Sequence, residues 1–174
     1  MKLFHFSEEP GIERFEPRPP RNHPHDPAVV WAVAEGHASH YCFPRDCPRV
    51  VFWVGPDTSE TDRNRYFAHT TARKVIAIET AWVSRVRSAV LYIYHLPAES
   101  FVLQDETAGY YVSTEAVTPS KVEPAGDLLS RLVASGAELR VTPSLQPLAT
   151  TLPSSTVAFS MIRLRNASPE SPPQ

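Results

Sequence analysis

Proline is the feature that most limits what this chain can fold into. The 174 residues include 18 prolines and 6 glycines, and proline is about twice as frequent as its usual share of roughly 5%. Because proline lacks a backbone donor and clashes with the preceding helical turn, few windows of the sequence can form a long helix. The hydrophobic share is 42%, which is enough for an ordinary core. We therefore predict a folded, loop-rich α+β protein of short strands, and not a long helical bundle.

The charge and hydropathy patterns exclude some partners. The net charge of −2, from 17 basic and 19 acidic residues, gives no broad basic face, so we expect no duplex nucleic acid partner. No window approaches the roughly 18 apolar residues of a membrane helix, and Met1–Glu8 lacks the apolar stretch of a secretory signal. We expect a cytoplasmic protein in which Cys42 and Cys47 are reduced thiols. The oligomeric state is left open.

Short apolar runs bounded by turn residues indicate strands throughout the chain. Residues 104–108 are turn-like, which favours a hairpin between the apolar runs at 101–103 and 109–113. Extended pieces are expected at 117–119 and 121–124 as well. The predicted strands cover residues 3–6, 29–33, 49–54, 74–79, 89–96, 101–103, 109–113, 138–141 and 157–164.

Helical signals are weaker than strand signals. The one complete helix pattern begins with Asp127 as N-cap, continues through an apolar stripe over residues 128–133 and ends at Gly136. The remaining predictions are short helical turns at residues 35–43, 63–67 and 80–87, and a loop at residues 143–155.

The pattern as a whole favours one α+β domain. No period of 20–50 residues repeats, which excludes a solenoid. No Gly-x-Gly-x-x-Gly or phosphate loop is present, so a doubly wound nucleotide fold is unsupported. We predict a single domain over residues 1–165, followed by a disordered polar tail over residues 166–174.

A cluster of potential zinc ligands follows the second predicted strand. His37, His40, Cys42 and Cys47 form His-x-x-His-x-Cys-x4-Cys, with His23 and His25 upstream. Structural zinc sites usually take ligand pairs from separated segments, whereas one short segment would supply all four here. We favour the simpler alternative, in which Cys42 is in the core and the histidines are surface or loop residues. We therefore predict no metal.

The first strand carries two polar side chains on one face. His5 and Ser7 are two residues apart, so they project together while Phe4 and Phe6 face the other way. An imidazole and a hydroxyl can hydrogen-bond the hydroxyls of a sugar. The simpler alternative is an edge-strand histidine with a capping serine.

Two later elements add an aromatic ring and a carboxylate. Trp31 or Tyr41, near the second strand, could stack on a planar ring, although core packing would explain both. Glu115 follows the Tyr-rich strand of the hairpin and could stabilise positive charge at a sugar carbon. A solvated turn glutamate is the simpler alternative there.

The order of these three elements resembles the ADP-ribosyltransferase-like superfamily, which includes the RNA 2′-phosphotransferases. The resemblance covers residues 2–125 and implies a short-stranded, split and bent β core. It implies that His5 holds the ribose of NAD, that Tyr41 or Trp31 lies near the nicotinamide, and that Glu115 acts at the ribose carbon. The chain also resembles uncharacterised bacterial proteins that share the Phe-His-Phe-Ser-Glu start and the segment 43–49.

The resemblance implies a function as well as a fold. We expect binding of NAD or an ADP-ribose-type nucleotide, with NAD as the substrate of ADP-ribosyl transfer or related chemistry. Glu115 and His5 would be catalytic, and the nucleotide would be bound by His5, Ser7, Trp31, Tyr41 and Arg45. Two alternatives stay open, a non-catalytic ligand-binding or interaction module of the same fold and a small zinc-binding domain.

Overall fold

The computed structural model describes residues 1–19 and 25–169, and it confirms the α+β class. Over these residues, ten strands form two sheets. The chain divides into a first unit, Met1–Cys42 with Val90–Gly126, and a second unit, Phe43–Ala89 with the residues from Asp127 onward. The single domain over 1–165 stays a prediction, and residues 170–174 of the expected tail lie outside the described residues.

The elements are short, as the proline content predicts. The strands are β1 Leu3–Ser7, β2 Val30–Ala34, β3 Arg49–Trp53, β4 Lys74–Glu79, β5 Tyr92–Leu96, β6 Val102–Asp105, β7 Tyr110–Ser113, β8 Lys121–Pro124, β9 Glu138–Thr142 and β10 Ala158–Ile162. The α-helices are α1 Glu60–Phe67, α2 Val83–Ser88, α3 Leu128–Ala134 and α4 Gln146–Thr151, and 3-10 helices cover Glu35–Tyr41, Thr80–Trp82, Leu152–Ser154 and Leu164–Asn166. In the described ranges, none of these helices is long and apolar enough to cross a membrane.

The predicted strands are present, and the hairpin of β6 and β7 is antiparallel, as expected. The cap of α3 is confirmed, since Asp127 Oδ1 accepts from the Ser130 amide at 2.6 Å, and Gly136 has a φ of 75°. The loop predicted over 143–155 is wrong, because α4 forms there. Pro147 lies in its first turn, where the missing proline N–H costs no helical hydrogen bond.

The sheet of the first unit has the strand order β6-β7-β2-β1-β5-β8. One face carries Leu3, His5 and Ser7 of β1, and the opposite face carries Phe4 and Phe6. The face with Leu3 is covered by a core cluster whose buried members are Leu3, Phe15, Val30, Ala32, Tyr94, Leu96, Phe101 and Val117.

An N-terminal strap, residues 8–19, lies against this core face. Phe15 forms a bridge with Val117 through backbone hydrogen bonds of 2.8 and 2.9 Å. The hydroxyl of the fully buried Tyr94 donates to the Glu9 carbonyl and accepts from the Ile12 amide. The strap is therefore anchored at several places along its length.

The strands β1 and β2 separate soon after they begin to pair. Their antiparallel register contains only Leu3 with Ala34 and Phe4 with Val33. Beyond this point β1 continues along β5 through Ser7, and β2 continues along β7 back to Val30. We call the point of separation the fork.

The sheet of the second unit has the order β10-β3-β4-β9, and only its β4 and β9 pair is parallel. Its two central strands are continuous apolar runs, as expected for strands buried on both faces. One core cluster contains Val50, Phe52, Tyr66, Phe67, Val75, Ala77, Leu145, Leu152 and Val157.

Candidate functional site

His5 lies at the fork of the first unit and links its two diverging strands. Its Nδ1 is 3.0 Å from the carbonyl oxygen of Trp31 on β2. A carbonyl oxygen only accepts, so Nδ1 is the donor. The imidazole also packs against the ring of Phe15, with centroids 4.8 Å apart. The structure therefore gives His5 a contact with the protein backbone that its sequence neighbourhood did not indicate.

Ser7 shares the face of His5, as the strand pattern predicts, but it is buried. Its Oγ accepts from the amide of Glu9 at 3.1 Å. This bond fixes the turn from β1 into the N-terminal strap. This hydrogen bond agrees with the simpler alternative, in which Ser7 caps the end of the strand.

The opposite face of the same sheet carries a chain of half-buried rings. We call it the aromatic face and define it as Phe6, Trp31, His37, Tyr41 and Tyr110. Tyr110 contacts Trp31 at 5.3 Å and Tyr41 at 5.7 Å between ring centroids. Tyr41 is 6.5 Å from Phe6 in a stacked arrangement. These contacts join Phe6, Tyr41, Tyr110 and Trp31 into one continuous set of rings in the first unit.

The strand register explains why these rings lie together. Val33 pairs with both Phe4 and Tyr110, and alternate residues of a strand share a face. Trp31, Phe6 and Tyr110 therefore point to one side. The sequence does not predict Tyr110 as a site residue, because its place depends on the pairing of β7 with β2.

A glycine turn positions the imidazole at the end of this surface. Gly109 has a φ of 67°, and a Cβ at this position would lie under 3.0 Å from ring atoms of His37. The Gly109 carbonyl also accepts from the amide of Ala34, at 2.9 Å. The hairpin turn and the 3-10 helix Glu35–Tyr41 thus meet without space for a side chain.

The predicted site residues are divided between the two faces of the sheet. Trp31 and Tyr41 both belong to the aromatic face, whereas His5 and Ser7 point to the opposite face. Glu115 is exposed, and its amide and carbonyl both bond the hydroxyl of Ser113, at 3.1 and 3.2 Å. The backbone at Glu115 is therefore fixed while its carboxylate is in solvent.

Arg45, which is predicted to bind the nucleotide, belongs to the second unit. It is exposed, and its carbonyl accepts from Nε of Arg163 at 3.3 Å.

The zinc alternative receives no support from the geometry. Within residues 1–19 and 25–169, no group of three or more His, Cys, Asp or Glu side chains could hold a metal ion. Cys42 Sγ donates to the carbonyl of Ala38 at 3.7 Å. The pKa of the Cys47 thiol is raised to about 11, because the effect of burial exceeds the opposing effect of the positive charges of Arg49 and Arg85. His23 lies outside the described residues.

A further polar group lies on β5 and β8 and is not predicted by the sequence. His95 Nε2 is 3.2 Å from Glu123 Oε1, and Lys121 Nζ donates to the other oxygen of that carboxylate. The hydrogen bond from Lys121 lowers the pKa of Glu123 most, and the hydrogen bond from His95 lowers it further. Alternating charge along 121–123 was the available signal, but the partner strand could not be read from it.

A family model matches residues 4–167, which include His5, the aromatic face, Arg45 and Glu115. The chain belongs to DUF6886, a family of unknown function. This confirms membership of an uncharacterised family, while the likeness to ADP-ribosyltransferases stays a prediction. No curated protein matches the chain. No solved structure matches it either.

Proposed function

We propose that the first unit binds NAD or an ADP-ribose-type nucleotide, with a planar ring of the ligand on the aromatic face. The observation that carries this proposal is the set of half-buried rings joined through Tyr110, with Trp31 on one side and Tyr41 on the other. Half-exposed aromatic rings offer stacking surface together with polar edges for hydrogen bonds. Small-molecule sites combine such apolar walls with a few fixed polar groups.

The polar groups near this surface suit a nucleotide. His37 is fixed at one end by Gly109, and the hydroxyl of Tyr110 belongs to the same set. An imidazole and phenolic hydroxyls can both donate and accept, as sugar hydroxyls and carboxamides require. The cytoplasm is the proposed compartment, and it agrees with Cys42 and Cys47 both remaining thiols.

Calorimetric titration with NAD, ADP-ribose and nicotinamide mononucleotide at millimolar concentration tests the binding. Trp31→Leu should weaken binding at least about fivefold, because stacking of a base on an aromatic side chain contributes about 1–3 kcal/mol. The matched control is Trp82→Leu in the second unit, where the indole packs against Arg85. Equal affinities of the two variants, or no binding by the unmodified protein, would contradict the proposal.

The proposed chemistry on NAD is cleavage of the bond between nicotinamide and the ribose carbon. Nicotinamide leaves as a neutral molecule, and the Glu115 carboxylate stabilises the positive charge that develops on the ribose. The observation that favours Glu115 is its fixed backbone and exposed side chain. Water or a nucleophilic side chain of an acceptor would then complete the transfer.

Release of nicotinamide from NAD distinguishes transfer or hydrolysis from a non-catalytic binding module. Glu115→Gln should lower the release rate at least about a hundredfold, an effect typical of lost electrostatic stabilisation, and leave NAD affinity unchanged. Glu106→Gln, at another exposed glutamate of the first unit, is the control. NAD binding without release in the unmodified protein would favour the non-catalytic module.

A further inference from the structure

We propose that His5 is a positioning residue that holds Trp31 in the aromatic face, and that its bond to the Trp31 carbonyl is what it contributes to the site. The inference rests on the proposed function for its consequence on ligand binding. Its structural part concerns this chain alone and can be tested without a ligand.

The fork makes this bond necessary. After Phe4 and Val33, the backbones of β1 and β2 no longer pair, so the ladder supplies no donor from β1 to the carbonyl of Trp31. The imidazole of His5 supplies one instead, at 3.0 Å from that oxygen. A strand that loses its neighbour exposes carbonyl groups that are costly to leave unsatisfied when partly buried. His5 therefore replaces a ladder hydrogen bond at the residue that carries the indole.

The imidazole is itself fixed in place by the N-terminal strap. Phe15 packs on the His5 ring, and the Phe15 ring contacts Tyr94 edge-on at 5.2 Å. The backbone of Phe15 is bonded in both directions to Val117. Because these contacts restrict rotation of the imidazole, the Nδ1 donor is oriented before any ligand arrives.

The effect reaches the ligand surface through the backbone. The Trp31 carbonyl bonds His5, whereas the Trp31 side chain projects to the opposite face and contacts Tyr110. Fixing the carbonyl fixes the peptide plane and hence the direction of the indole. A direct ligand contact would instead need Nε2 of His5, so the two ring nitrogens separate the two roles.

Two substitutions distinguish these nitrogens. His5→Asn keeps an amide N–H close to the position of Nδ1, and His5→Gln places its amide nearer to the position of Nε2. Both are made in a protein that also carries Trp53→Phe and Trp82→Phe, so that Trp31 is the fluorescent indole that remains. The readouts are the emission maximum and anisotropy of Trp31 without ligand, followed by the dissociation constant for NAD.

We expect His5→Asn to retain the emission maximum, the anisotropy and the affinity, and His5→Gln to show red-shifted emission, lower anisotropy and several-fold weaker binding. The reverse order in both readouts would assign His5 to direct ligand contact and overturn the inference. Unchanged emission in both variants would overturn it as well. If the unmodified protein binds no nucleotide, the proposed function fails, and the emission alone still decides the role of His5.

A third variant serves if both His5 variants fail to fold. Phe15→Leu keeps the histidine and removes the ring that restricts it, so it should shift Trp31 emission in the direction expected of His5→Gln. Unchanged emission in a folded Phe15→Leu protein, judged by far-ultraviolet circular dichroism, would contradict the positioning role.

Discussion

The two sheets differ in how much of their side-chain surface is withdrawn from solvent. In the second unit, Val50 through Phe52 and Val75 through Ile78 are all 0% exposed, so both faces of the central strands are covered. In the first unit, Phe6, Trp31 and Tyr110 remain half-buried on one face. Rings that are fully buried cannot meet a ligand, so the proposed ligand surface requires the half-buried rings of the first sheet.

Polar groups follow the same division. In the second unit the carboxylate of Glu79 is 1% exposed, and it accepts from the Leu145 amide and from the amide and hydroxyl of Ser168. It satisfies backbone donors at the start of α4 and near the end of the described chain. In the first unit, Glu115 and Glu123 keep contact with solvent. Buried polar groups thus serve the fold, and exposed ones are accessible for chemistry.

The largest expected effect contrasts two phenylalanines. Phe52→Ala should lower the free energy of unfolding by about 3–5 kcal/mol, because it opens a cavity in a fully buried cluster. Phe6→Ala, at a half-buried ring of the first unit, should cost clearly less, about 1–2 kcal/mol. Urea denaturation measures both values. Equal costs would show that the ring of Phe6 is as important to stability as that of Phe52.

The next effect concerns the buried carboxylate of the second unit. Glu79→Gln should cost about 2–3 kcal/mol, because it replaces a charged acceptor and turns an amide group toward the donors of Ser168. Glu99→Gln, at an exposed position, is the matched control and should change stability by less than about 0.5 kcal/mol. If thermal and urea unfolding gave the same stability for the two variants, the stabilising role of Glu79 would be refuted.

The smallest effect is the pH dependence that Glu123 adds to the first unit. Its pKa is lowered in the folded protein by Lys121 and His95, so the stabilisation is present above the unfolded pKa of about 4.3 and is lost as the pH falls through the folded value. The stability difference between the unmodified protein and Glu123→Gln should therefore shrink as the pH falls below about 5. Urea midpoints measured between pH 7 and pH 3 test this, and a difference that grows on acidification would contradict the assigned sign.

The sequence predicts secondary structure best where burial or a helix cap determines the residue pattern of a short segment. The apolar runs of β3 and β4 predict strands because both faces are covered, and Asp127 and Gly136 predict the ends of α3 because caps act within one turn. The helix α4 was missed, although Pro147 lies in its first turn, where a proline is compatible with a helix. In each of these cases the deciding interactions lie within a few residues.

The candidate site depends on pairing between distant segments, which a single sequence does not reveal. His5, Trp31 and Glu115 were selected by residue type and order, but the register that separates Trp31 from His5 joins β1, β2 and β7. Tyr110 gains its importance from the same pairing, and Phe15 gains its importance from the bridge with Val117. The types of residue were predictable, and the faces on which they lie were not.

The meeting of Gly109 with His37 also has an evolutionary consequence. The turn has no room for a side chain at 109 because the imidazole occupies that space. A side chain at 109 is therefore possible only where residue 37 is smaller than histidine. Family members with a side chain at 109 should carry a smaller residue at 37, and members with glycine at 109 should be free to keep the histidine.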